Sequence, residues 1–131
     1  MKRVVGFTLI ELLTVLAIVG LLSSLAMPSF QGIQQRTQRA MAKVALLQSA
    51  QWLERAASTQ GSYPSTLPDA VWLKPDARYQ VQLQSEGHAY LLKAVPTGSQ
   101  ISDPCATLTL NQAGERGVQG ARLSTVACWS P

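Results

Sequence analysis

The stretch Gly6-Phe7-Thr8-Leu9-Ile10-Glu11 decides the fold of this chain, because it places a single carboxylate at the start of a long apolar segment. A short basic leader, Met1-Lys2-Arg3-Val4-Val5, comes before it, and residues 12–27 carry no charge after it. Burying a glutamate in hydrocarbon costs about 3 kcal/mol or more. Glu11 therefore needs a partner, and the identity of that partner is the first question that the sequence raises.

Length and composition restrict the remaining possibilities. The 131 residues are enough for one domain but not for two large ones. Hydrophobic residues make up 47% of the chain and concentrate in its first thirty positions, so the rest can build only a fairly small core. The formal net charge is +4, and Lys2 and Arg3 in the leader contribute two of these charges. Charge alone is therefore a weak argument for nucleic-acid binding.

Two cysteines, Cys105 and Cys128, lie near the C-terminus. An apolar export segment with an even number of cysteines favours a disulfide formed in an oxidising compartment, and a pair of reduced core thiols is the alternative. We expect no metal site, because the chain has no Cys-x-x-Cys pair and its one histidine, His88, is remote in sequence.

The apolar segment, residues 7–27, is compatible with three interpretations. As a helix it is about 30 Å long, enough for one crossing of a lipid bilayer, and Lys2 and Arg3 predict a cytoplasmic N-terminus. It can be a secretory signal cleaved near Ser24-Leu25-Ala26, or a plain single-pass anchor. In the third interpretation, cleavage between Gly6 and Phe7 creates a new amine that neutralises Glu11 of a neighbouring copy and fixes the register of the two helices.

The chain resembles the type IV pilins in the stretch Gly6 to Glu11 and in its continuation, residues 12–20. The resemblance is strong to Phe30 and looser beyond it. It implies cleavage after Gly6 by prepilin peptidase, N-methylation of Phe7, and Glu11 as the residue of assembly. It also implies storage in the lipid bilayer, then transfer by the inner-membrane assembly machinery into an extracellular filament with other major and minor pilins. It implies no cofactor.

The helix should extend well beyond the membrane-length segment. Gly20 and Pro28 weaken its hydrogen-bond ladder, so we expect a kink or local unwinding there, or a simple bend, with the helix resuming near Phe30. It should stop at Ser58-Thr59-Gln60-Gly61, with Gly61 as the C-cap. Apolar residues at three- and four-residue steps predict a face that docks on a small sheet: Ala42, Leu46, Ala50, Leu53 and Ala57.

A small antiparallel sheet is predicted after a turn-rich loop at residues 62–68, which Pro75 and Asp76 extend and under which Trp72 and Leu73 pack. The first strand alternates apolar and polar residues from Tyr79 to Gln84. Two further strands are predicted at residues 90–95 and 107–110. The predicted fold class is α+β, a long helical spine packed on a small antiparallel head of three or four strands. Its parts are a leader at 1–6, a membrane and assembly half-helix at 7–29, and a globular head at 30–131.

The resemblance also bears on the C-terminal region. It implies that the segment between Cys105 and Cys128 is the disulfide-bounded region in which pilins vary their exposed surface. Pseudopilins of type II secretion generally lack this pair, which favours a pilus over a secretion pseudopilus and is typical of small minor pilins of Gram-negative bacteria.

The sequence contains no catalytic constellation, neither a G-x-S-x-G nucleophile motif nor a phosphate-binding glycine loop. Two functions therefore remain. The chain is a structural filament subunit that supports pilus biogenesis, adhesion, twitching motility or DNA uptake, or it is an adhesive or DNA-binding receptor at the filament surface or tip. Candidate DNA contacts, which could converge on one face with Tyr79 or Trp129, are Lys74, Arg78, Lys93, Arg116 and Arg122. The favoured alternative is that these five residues are solvated surface charges.

We predict that Glu11→Ala protein inserts into the membrane and is processed but joins filaments poorly, because the amine of the adjoining subunit loses its counter-charge. Immunoblots of sheared filaments and of the membrane fraction measure this partition. Mass spectrometry of the native polypeptide checks that it starts at Phe7, carries a methyl group and retains a disulfide. Normal incorporation of the Glu11→Ala subunit would contradict the role of this residue.

Overall fold

The computed structural model describes residues 6–68 and 78–130, with the backbone alone described at residues 26–29. Trp72, Leu73, Lys74, Pro75 and Asp76 lie outside the described residues. Two compact units are present, Met1–Gln34 and Gln35–Pro131. The described elements are α1 Leu9–Gln60, β1 Tyr79–Ser85, β2 Tyr90–Pro96, a 3₁₀ helix Gly98–Ser102, β3 Thr107–Asn111, β4 Arg116–Gln119 and α2 Thr125–Trp129.

At the start of helix α1, the carbonyl of Thr8 accepts a hydrogen bond from the backbone N–H of Glu11, at 3.1 Å. It ends at Gln60, where Gly61 adopts a left-handed conformation with φ of 78° and its N–H binds the carbonyl of Ala57. Only glycine adopts that conformation without strain, so the predicted C-cap is confirmed.

The helix runs without a break through Gly20 and Pro28, so it does not resume near Phe30 as expected but is continuous there. A proline removes one backbone donor, but its fixed φ of about −65° matches that of an α-helix, so the chain can stay helical on both sides of it. A bend or unwinding at these two positions during assembly stays a prediction.

The apolar N-terminal part of α1 exposes its large side chains within its own unit: Leu9 is 78% and Leu21 is 69% exposed. The helix is long and apolar enough to cross a membrane, with a mean hydropathy of 2.3 over its most apolar 18-residue window. Apolar side chains so exposed are stable in lipid or against other apolar helices, not in water.

The predicted docking face of α1 packs on the core of the second unit. Ala42, Leu46 and Leu53 are buried, and Ala50 and Ala57 are half-buried. Ser49, which the periodicity did not indicate, is also fully buried; its hydroxyl is satisfied by donating to the carbonyl of Ala45 one turn earlier. The face contacts a core that includes Leu92, Leu108 and Leu110.

The sheet has four antiparallel strands in the order β1-β2-β3-β4. In β1, Tyr79, Val81 and Leu83 turn toward the core, and the three glutamines between and after them are exposed, as the alternation predicted. The three predicted strands are confirmed, each extended by one residue at its C-terminal end.

Strand β4, the 3₁₀ helix and α2 were not predicted. The four residues of β4 contain a glycine and one apolar side chain, Val118, so they carry no strand pattern of their own. The strand forms because β3 offers a free edge on which Val118 pairs with Leu108 and Arg116 pairs with Leu110. Long-range pairing decides this element, not local preference.

The disulfide between Cys105 and Cys128 is confirmed, with both cysteines fully buried and their Cα atoms 5.6 Å apart. It ties α2 to the segment before β3 across a separation of 23 residues. Closing a loop of this size stabilises a fold by about 3 to 4 kcal/mol in the chain-entropy model.

A buried carboxylate, Asp103, connects α1, β1 and the disulfide-bonded region. Arg39 of α1 donates to it at 2.7 and 3.2 Å, and the hydroxyl of Tyr79 donates at 3.1 Å. The side chain of Gln100 and the backbone N–H of Cys105, at 2.5 and 2.8 Å, also donate to it. A fully buried charge is stable only with such partners.

We predict that Asp103→Asn lowers the free energy of unfolding by about 3 to 5 kcal/mol, because it leaves the Arg39 guanidinium largely buried without a counter-charge. Thermal unfolding with the disulfide intact measures the loss. The matched control is Glu115→Gln, which removes an exposed carboxylate that pairs only with Asn111 among its described contacts. Equal effects of the two substitutions would contradict the role of Asp103.

We also predict a loss of stability in alkali that depends on Tyr79. Burial raises the pKa of this tyrosine to about 12, and the Asp103 carboxylate adds to the shift. The folded state keeps the hydroxyl protonated where the unfolded chain ionises, so this stability is complete below pH about 10 and is lost toward pH about 12. The urea midpoint of Tyr79→Phe should therefore fall less between pH 9 and 11.5 than that of the unsubstituted protein. Parallel curves would contradict this.

Candidate functional sites

The processing and assembly residues lie at the start of α1. Phe7 is 81% exposed and Glu11 is exposed on the first turn, where its carboxylate accepts the hydroxyl of Thr8 at 3.5 Å. A contact of that length to a neutral hydroxyl is weak. Glu11 is thus accessible to a cationic group outside its own chain. A Cβ atom placed on Gly6, directly before Phe7, would meet no atom within 4 Å apart from those of its chain neighbours.

Arg116 and Lys43 belong to a cluster of cationic side chains that lies where α1, β4 and α2 meet. The guanidinium of Arg116 lies 5.3 Å from the ring centroid of Trp129, whose indole N–H donates to the carbonyl of Gly117 at 3.0 Å. Lys43 of α1 donates to the carbonyl of Ser130 at 2.5 Å. Trp129 is 8% exposed, so it serves as a platform for Arg116 and presents no free ring for stacking.

Like charges crowd this cluster. The pKa of Lys43 is lowered, first by burial and then by the nearby guanidinium groups of Arg39 and Arg116. Lys43 was not among the candidates that the sequence indicated. Its spacing of four residues from Arg39 on one helix face is the signal that would have identified it.

Two further candidates, Arg78 and Arg122, lie at the 3₁₀ helix. Arg122 donates to the carbonyl of Ser102 at 3.2 Å, and the guanidinium of Arg78 lies against Gly98, within 3.3 Å of where a Cβ would stand. Tyr79, which the sequence suggested as an aromatic partner, is 4% exposed, and its hydroxyl donates a hydrogen bond to Asp103. It therefore offers no stacking surface.

Lys93 lies on the opposite face of the sheet from Arg116. Residues paired across antiparallel strands share a face, and Lys93 pairs with Thr109, which pairs with Gly117. Arg116 instead pairs with the core residue Leu110. The four described candidates therefore do not converge on one face, because a shift of one residue along a strand moves a side chain to the other face of the sheet. This agrees with the alternative in which these residues are solvated surface charges. The fifth, Lys74, is outside the described residues.

An open groove of about 650 Å³ lies between α1 and the β3–β4 turn, with Leu47, Arg55 and Arg116 among its lining residues. At its margin the carboxylate of Glu54 accepts the hydroxyls of Tyr63 and Tyr90, at 3.0 and 3.3 Å. Burial first, and then this carboxylate, raise the pKa of both tyrosines. Among the described residues, no group of three or more His, Cys, Asp or Glu side chains could hold a metal ion.

Comparison with protein families gives two matches that together cover most of the chain. The model described as "Prokaryotic N-terminal methylation motif" matches residues 1–27. The model described as "Type IV minor pilin ComP, DNA uptake sequence receptor" matches residues 28–109, which include the second half of α1 and strands β1 and β2.

Individual proteins agree with the family match. A fimbrial protein of Pseudomonas aeruginosa is 28% identical across 100% of this chain and 94% of its own length. The type IV major pilin protein PilE of Neisseria gonorrhoeae is 31% identical across 91% of this chain and 64% of its own length.

Two solved structures resemble the fold. A type IV pilin from Shewanella oneidensis is 35% identical, with a TM-score of 0.56, across 74% of this chain and 99% of that one. The non-core minor pilin PilV of Neisseria meningitidis is 22% identical, with a TM-score of 0.57, across 70% of this chain and 93% of that one. At this identity the similarity supports the fold alone.

The matched proteins are structural filament subunits and not enzymes, in agreement with the absence of a catalytic motif from the sequence. Membership implies processing by prepilin peptidase and assembly with other pilins. It is consistent with anchoring in the inner membrane before assembly into a pilus. The long helix on an antiparallel sheet, the N-terminal methylation motif and the match over the head lead to one conclusion: the chain belongs to the type IV pilins, in the family of the minor pilin ComP.

Proposed function

We propose that this minor pilin is a DNA receptor of the type IV pilus. The observation that carries the proposal is the match over residues 28–109 to a family described as a DNA uptake sequence receptor. The purely structural subunit is the alternative, and it differs from the receptor only in lacking affinity for DNA.

Charge on the matched part of the chain supports the receptor. Lys93 lies on the outer face of the sheet, and Arg78 directly precedes β1; both fall within the matched residues. Arg116 and Arg122 fall outside that match. Lysine and arginine contacts to phosphates supply most of the sequence-independent affinity of a DNA-binding protein. We therefore assign phosphate contacts first to Lys93 and Arg78.

In this proposal, the N-terminal half of α1 and the residues directly before it are responsible for assembly. Cleavage between Gly6 and Phe7 and methylation of Phe7 yield the mature subunit, which spans the inner membrane once with a cytoplasmic N-terminus. The exposed position of Glu11 supports an ion pair with the Phe7 amine of an adjoining subunit during filament growth. The inner-membrane pilus machinery would extract the subunit from the bilayer.

A secretion pseudopilin is the second alternative. The buried disulfide and the relatives described as fimbrial and PilE proteins favour a pilus. Adhesion and twitching motility are roles that a filament containing this subunit could also support.

We predict that the full-length protein in detergent binds mixed-sequence duplex DNA, and that Lys93→Gln weakens this binding several-fold. The slope of log K against log salt should become shallower by about 0.9 for each phosphate that the protein no longer neutralises. Fluorescence anisotropy from 50 to 300 mM salt measures both quantities.

The matched control is Arg36→Gln, which removes the same charge from an exposed position on α1. An equal loss of affinity in this control would assign the effect to net charge and not to a contact by Lys93. Absence of binding by the unsubstituted protein at tens of micromolar and low salt would remove the receptor function.

A further inference from the structure

The outer face of β1 carries a row of three exposed amides, Gln80, Gln82 and Gln84. Among the described residues no hydrogen bond engages these side chains, whereas the alternate residues of the strand pack toward the core. In the register of the sheet, Gln82 lies opposite Lys93 of β2. The amides therefore form an unpartnered hydrogen-bonding row beside one cation.

The charge of this surface suits a polyanion. None of the four described strands contains an aspartate or a glutamate, and the cations within them are Lys93 and Arg116. Arg116 is on the core-facing side. Among the residues of the described strands, Lys93 is therefore the charged residue that lies on the outer face. Complementarity with phosphate is thus present without a dense basic patch, which would bind any sequence equally.

We propose that the glutamine row of β1 reads base edges in the major groove of duplex DNA and so sets the sequence preference of this protein. The inference rests on the proposed receptor function and deepens it. The amides supply the selectivity, while Lys93, opposite Gln82, and Arg78, directly before β1, contribute contacts to phosphates.

The spacing of the row is comparable to the distance between base pairs in the duplex. Alternate residues of a strand are about 6.7 Å apart, at about 3.3 to 3.4 Å per residue. Base pairs rise by about 3.4 Å, so two steps span about 6.8 Å. Successive glutamines are therefore far enough apart to contact different base pairs of one groove.

The chemistry of the side chain matches as well. A glutamine amide carries a donor and an acceptor, and it forms a bidentate pair with the N6 and N7 atoms of adenine in the major groove. The major groove is about 12 Å wide and admits a two-stranded ribbon. Strand β1 is at the edge of the sheet, so the β1–β2 pair can enter the groove while β3 and β4 remain outside it.

The test uses full-length protein in detergent. A duplex enriched from a random library by the unsubstituted protein is compared with its shuffled version. The test variant is Gln80→Met/Gln82→Met, which keeps the length of both side chains and removes both amides. Two bidentate pairs predict at least a tenfold fall in the preference for the enriched duplex. Affinity for the shuffled duplex should change less than about threefold, because phosphate contacts remain.

Gln48→Met/Gln51→Met, on exposed positions of α1, is the matched control and should keep the preference. Circular dichroism and the intact disulfide confirm that each variant is folded. If the test variant keeps the preference, or if the unsubstituted protein binds DNA and enriches no sequence, the glutamine row is not the reader and the receptor function still stands. If the unsubstituted protein binds no duplex at all, the receptor function itself fails.

Discussion

The second unit of this pilin depends on one buried carboxylate. Asp103 is fully enclosed, and donors from α1, β1, the 3₁₀ helix and the backbone beside Cys105 all converge on it. Hydrophobic contact alone leaves the helix free to slide by small steps against a sheet, because apolar packing is not directional. A charge that must receive several hydrogen bonds allows one register. This carboxylate therefore fixes α1, the first strand and the disulfide-bonded region in a single arrangement.

Helix α1 divides its apolar surface between two environments. Its second half buries a narrow face with Leu46 and Leu53 at the centre. Its first half leaves nearly every large side chain exposed and presents Glu11 on the same surface. In a soluble monomer that exposure would be strongly unfavourable, whereas a membrane or a bundle of like helices removes it. The same helix thus specifies both a folded head and an obligatory partner.

The sheet separates its functional residues by face. Arg116 joins Trp129 and Lys43 on the side of the helix, and Lys93 joins the glutamines of β1 on the outer side. The proposal that this chain binds DNA rests on the family match and not on charge density. In the proposed receptor, few cations and several amides would favour selectivity over general affinity, in a chain whose net charge is only +4.

The sequence by itself determined the elements that have a local cause. The motif at Gly6 to Glu11 indicated the family. Apolar residues at three- and four-residue steps predicted the docking face of α1, and the alternation of apolar and polar residues from Tyr79 predicted β1. The end of α1 followed from Gly61, since only glycine adopts that left-handed turn without strain.

Tertiary structure decided the rest. Strand β4 exists because β3 offers it an edge, and the position of Asp103 at the centre of a network depends on donors distant in sequence. The distribution of Lys93 and Arg116 over two faces followed from strand register, which no local pattern contains, because a shift of one residue exchanges the two sides of a sheet.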